Sequence, residues 1–152
     1  MSGLYPEFGW TYRWAGDEAN AQRTFRDGRE KLGALKSKLG DNGYITASLS
    51  SLAAGLADCD TALREAEEAL AIGGGDQYVR GLLVMNVALT QSFCGRSDDA
   101  LATLSRISRD KVSLVHLGDL RYGIAWNSLR GDPRFQKLVA ETEAMLNAQP
   151  AR

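Results

Sequence analysis

Few residues in this chain have both the type and the spacing that catalysis needs. General acid/base work near neutral pH commonly uses histidine, and the chain has one, His116, within the apolar run Leu114-Val115-His116-Leu117. It reads there as a packing residue. Cys59 and Cys94 have no second ligand at metal-site spacing. Two cysteines are too few for a disulfide framework, and their small-residue helical surroundings predict buried free thiols. Asp58 and Asp60 flank Cys59, but residues two apart on a helix point in different directions and make no chelating pair. Glu65, Glu67 and Glu68 read as a solvated helix face. Gly73-Gly74-Gly75 follows no strand and precedes no Gly-Lys-Ser/Thr, so it reads as a hinge between helices rather than a phosphate loop. No enzyme, metal site or cofactor is expected.

What remains is binding, and the elements that would position a binding surface are helices. With 152 residues the chain fits one domain. Its hydrophobic share of 44% and charged share of 24% are close to globular averages, so it should fold. The net charge of −1 selects neither nucleic acid nor an anionic membrane as partner. The longest apolar stretch, Leu82 to Leu89, falls far short of the roughly 20 residues a spanning helix needs, and no signal segment is evident. A cytoplasmic protein is the expectation.

Apolar residues recur at helical spacing almost throughout. Phe25, Leu32, Leu35 and Leu39 stripe one long helix. Gly40 to Gly43 supply a turn, and Tyr44, Ile45, Leu49, Leu52 and Leu56 open the next helix. Ala62, Leu63, Ala66, Ala69 and Leu70 form a third, which the triple glycine ends. Val79 to Leu89 make a helix apolar on most sides, which must be covered on most sides and so belongs inside a stack. Ala100, Leu101, Leu104 and Ile107 follow. Val112 to Ala125 is helical in pattern but weakened by Gly118 and Gly123. Asp132 then caps a last helix with Pro133 at its first position and Phe135, Leu138, Val139, Met145 and Leu146 along one side.

A five-four-three spacing of mostly small residues occurs three times: Gly16, Ala21, Phe25 and Gly28; Ala57, Ala62, Ala66 and Ala69; Gly95, Ala100, Leu104 and Ile107. Small residues at such positions let paired helices approach closely. Ala21, Ala62 and Ala100 stand at a period within the range of roughly 20–50 residues that marks solenoids.

These residues resemble the tetratricopeptide repeat family. The first unit matches best, with Tyr5 where the family usually has Trp, then Phe8, Gly9, Tyr12, Gly16, Ala21, Phe25 and Gly28 in the small and large slots. The closing run from Trp126 through Leu129-Arg130-Gly131-Asp132-Pro133-Arg134-Phe135 is similar to the ends of repeat regions in bacterial signalling and regulatory proteins. The resemblance implies an all-α domain over 1–152, with helical-hairpin repeats at about 3–40, 43–73 and 78–110, stacked as a short right-handed superhelix. A capping segment at 112–148 closes it, and any effector lies elsewhere. It also implies a scaffold that binds a protein or peptide segment in a concave groove. Matched by position, the groove residues are Trp10, Arg13 and Trp14; Tyr44, Ala47, Ser51 and Ala54; and Met85, Leu89, Ser92 and Phe93. The set is apolar and aromatic with one strong cation, Arg13, so an apolar segment is the expected ligand. Trp10, Trp14 and Phe93 also admit a second reading, as filler between helix pairs.

Charge along the chain suggests a rival role. Residues 1–40 hold seven Lys or Arg against five Asp or Glu, and 41–72 hold one against six. The basic residues Arg23, Arg26, Arg29, Lys31, Lys36 and Lys38 read as a solvated side rather than a nucleic-acid surface. Opposite charge on neighbouring helices predicts, as the alternative function, a structural module that assembles head to tail as a homo-oligomer.

Overall fold

Several helices begin where a side chain serves the free amides of the first turn. The computed structural model describes residues 4–73, 75–107 and 117–148, and of Leu146 the backbone alone. In chain order the helices are α1 (Tyr5–Trp14), α2 (Glu18–Leu39), α3 (Gly43–Gly55), α4 (Cys59–Gly73), α5 (Gln77–Phe93), α6 (Ser97–Ile107), α7 (Leu117–Tyr122) and α8 (Pro133–Asn147), with a 3₁₀ turn at Ile124–Trp126. Among the described residues there is no strand. Asp17 accepts from the Asn20 amide at 3.1 Å, Asn42 from those of Tyr44 and Ile45 at 3.0 and 3.1 Å, and Asp76 from that of Val79 at 2.9 Å. Each is an N-cap that satisfies a donor the helix cannot. Asp132 accepts from the Arg134 amide at 2.8 Å ahead of α8.

Three hairpins, α1–α2, α3–α4 and α5–α6, close with one and the same turn. In the first, the Ala15, Gly16 and Asp17 amides donate to the carbonyls of Thr11, Arg13 and Tyr12. Leu56, Ala57 and Asp58 repeat this onto Leu52, Ala54 and Ala53, and Cys94, Gly95 and Arg96 onto Thr90, Ser92 and Gln91. The middle residue is left-handed each time, with φ of 81° at Gly16, 61° at Ala57 and 70° at Gly95. This is the Schellman arrangement, which satisfies the last carbonyls of one helix with amides of the turn. The following helix starts in the same register, the amides of Ala21, Ala62 and Ala100 donating to the carbonyls of Asp17, Asp58 and Arg96.

The spaced small residues are the ones the hairpins bury. Ala21, Phe25, Ala62, Ala69, Ala100 and Leu104 are wholly inaccessible, and Gly28, Ala66 and Ile107 are buried beside them. Helix α1 packs on α3, and α3 on α5, while α2 and α4 back them from the other side. Phe25 shows why glycine stands at two of these contacts. A methyl group on Gly55 would fall 2.6 Å from its ring, and one on Gly9 closer still.

The interior is divided into two main clusters. One joins Trp10, Phe25, Leu32, Leu49 and Leu52 across the first two hairpins, and the other joins Ala88, Leu101, Leu104, Leu120, Trp126, Leu129, Phe135 and Leu138 across the third hairpin and the C-terminal segment. Only Ala47, Ala69 and Leu83 form the small cluster between them. Polar ties supplement this thin middle. Ser50 and Thr90 hydroxyls bond at 3.0 Å in a fully buried link between α3 and α5.

Two sequence expectations are overturned here. Cys59 and Cys94 are not free thiols; they form a disulfide between the first residue of α4 and the C-cap of α5, with Cα atoms 5.6 Å apart. Each is the sequence neighbour of a hairpin turn, and stacking the second hairpin on the third brings the two turns together. Glu65 is not on a solvated face. It is buried, and Arg29 of α2 binds both its oxygens at 2.7 and 3.1 Å while also donating to the Leu49 carbonyl. Lys36 pairs with Glu68 at 2.6 Å on the same two helices. Two pairs of the opposite charges of the first two units therefore meet within one chain.

Candidate functional site

Helices α1, α5 and α7 and the segment after α7 line an open cavity of about 350 Å³. Trp14, the last residue of α1, forms one wall. Met85 and Leu89, a turn apart on α5, form the floor. The opposite wall is Asp119 and Leu120 of α7 with Gly123, Ile124, Ala125 and Trp126. Trp14 and Ile124 are 44% and 48% exposed.

The far wall is held by a small set of bonds. Ser92 of α5 donates to the Ala125 carbonyl at 2.9 Å. Arg130 reaches back to the carbonyls of Arg121 and Gly123 and donates to the Asn127 side chain at 2.9 Å. Gly123 has no room for a methyl group, which would collide with the Asp119 carbonyl. Trp126 is 3% exposed and packs at 6.5 Å from Phe135 of α8. The 3₁₀ turn is thereby anchored at its Trp126 end and leaves Ile124 beside the cavity.

The residues expected in a groove separate into three groups. Trp14, Met85 and Leu89 come together and line the cavity. Trp10, Ser51 and Phe93 also come together, but inside the protein. The Trp10 indole N–H donates to Ser51 Oγ at 3.0 Å, and its ring stacks on Phe93 with centroids 3.8 Å apart. Trp10 is 8% exposed, and Phe93, its stacking partner, is partly buried. Ser92 is covered by the C-terminal segment, Ala47 and Ala54 are buried, and Tyr44 is exposed at the start of α3, outside the cavity lining. His116 lies outside the described residues.

Arg13, expected as the groove's cation, is committed elsewhere. Its guanidinium lies 5.3 Å from the Trp10 ring centre and 5.0 Å from that of Phe25, and binds both oxygens of Glu18, at 3.0 and 2.5 Å. This fork, with the Gln22 amide second, pulls the Glu18 carboxyl from its ordinary 4.5 to about 2. The charge-assisted bonds favour the ionised form.

Sequence reading missed the C-terminal wall. Periodicity fails at Gly123, where helix gives way to a 3₁₀ turn, and nothing in the spacing of Ile124 and Trp126 says that both line a cavity while only Ile124 is exposed. Among the described residues no group of His, Cys, Asp or Glu could hold a metal ion. No described helix is long and apolar enough to cross a membrane. Compared with protein-family models, curated proteins and solved structures, the chain shows no match.

Proposed function

We propose that this chain is a protein-interaction module that takes an apolar segment of a partner protein between Trp14 and Ile124. The carrying observation is the cavity itself: about 350 Å³, lined mainly by large apolar side chains, of which Trp14 and Ile124 are about half exposed. The arrangement suits a tetratricopeptide-like stack, a short right-handed superhelix in which α1, α3 and α5 form the concave face. The groove is shorter than the sequence suggested. Trp10, Ser51 and Phe93 stiffen its base, and the segment after α7 closes the end that Ser92 would otherwise offer to a ligand. A single Leu- or Phe-sized anchor fits this space, and burying one contributes about 1.5–3 kcal/mol. Trp14 is then the expected hot spot, being a half-exposed aromatic at the rim.

Selection of a displayed peptide library on this chain tests the proposal. Enriched peptides are expected to share a bulky apolar residue and to lose about tenfold or more in affinity on Met85→Glu, and on the milder Trp14→Ala. Peptides that bind both variants like the native chain would overturn it.

A further inference from the structure

Among the described residues, Asp119 is the one ionisable residue in the cavity lining. It is exposed, and among the described residues it makes no ion pair. Two arginines close to it in the chain are engaged elsewhere. Arg121 of the same short helix pairs with Glu143 at 2.6 Å, and Arg130 is spent on the carbonyls of Arg121 and Gly123. A ligand entering this space meets apolar walls, one unneutralised carboxylate and no free cationic donor in the lining.

We infer that the cavity selects an apolar group joined to a positive charge, as in a partner segment whose aliphatic or aromatic anchor is followed by Lys or Arg. The inference rests on the docking reading above and adds the chemistry of the occupant. Both parts of such a ligand are met: the anchor by Met85, Leu89 and Leu120, and the cation by Asp119, with the exposed ring of Trp14 offering an aromatic face. A segment carrying a carboxylate beside its anchor would face Asp119 and be rejected. Selectivity of this kind comes as much from the repelled ligand as from the accepted one.

Small amphiphiles of equal length separate the contributions. In calorimetric titrations at low salt, n-hexylammonium should bind about threefold more tightly than n-hexanol, with n-hexanoate weakest. Raising the salt to about 0.5 M should narrow the differences. Asp119→Asn, at an exposed position, should bring the three to within about twofold of one another. Equal binding of all three to the native chain would overturn the inference while leaving an apolar docking site. An order that survives Asp119→Asn would overturn it too. Failure of all three to bind would remove the docking reading and this inference with it.

Discussion

Ala57 holds a backbone conformation that its two counterparts hold as glycine. Its φ of 61° brings Cβ against the following carbonyl, and Gly16 and Gly95 avoid that contact at the equivalent turns. Ala57→Gly should therefore stabilise the chain by about 1 kcal/mol. The midpoint of urea unfolding should rise with its slope unchanged; an unchanged or lower midpoint would show that the turn carries no strain. At the same scale, Glu18 gives a pH prediction. Its folded pKa lies below the unfolded value, so its contribution is present above about 4.5 and is lost as pH falls through about 2. The Glu18 side-chain carbon resonance should titrate near 2 in the native chain and move upward in Arg13→Ala. A midpoint near 4.5 with Arg13 intact would contradict the paired geometry.

Between elements, the strongest single tie is covalent. The disulfide joins residues 35 apart in sequence and fastens the second hairpin to the third. Closing such a loop restricts the unfolded chain by about 3–4 kcal/mol. A thiol reductant should lower the calorimetric melting temperature by on the order of 10 °C, and the double variant Cys59→Ser, Cys94→Ser should start low and ignore the reductant. An oxidised chain that melts at the same temperature as the reduced one would contradict this role. The hairpins themselves were legible because each depends on local spacing: a left-handed residue, a cap, then small residues five, nine and twelve positions on. The ties between hairpins were not. Whether Cys59 meets Cys94, or Arg29 meets Glu65, depends on how one hairpin seats on the next, and helical periodicity carries no such register.

For the whole molecule, the two main clusters assign different duties to similar residues. Trp10 and Trp14 are four positions apart on α1 with ring centres 6.0 Å apart, yet one is buried against Phe93 and the other is half exposed at the cavity rim. Sequence could place both on one helix face but could not say which the neighbouring hairpins would cover. The C-terminal segment belongs to the second cluster through Leu120, Trp126 and Leu129 and supplies the cavity's far wall. Core and candidate site are therefore built from the same stretch of chain. The account turns on whether that cavity is where a ligand docks, and nuclear magnetic resonance of the indole N–H and methyl signals during titration with a library-selected peptide tests it most directly. The predicted result is movement of the Trp14 indole, the Met85 methyl and the Leu89 methyls, with the Trp10 indole held still by Ser51. A peptide that binds while those three signals stay fixed would contradict it.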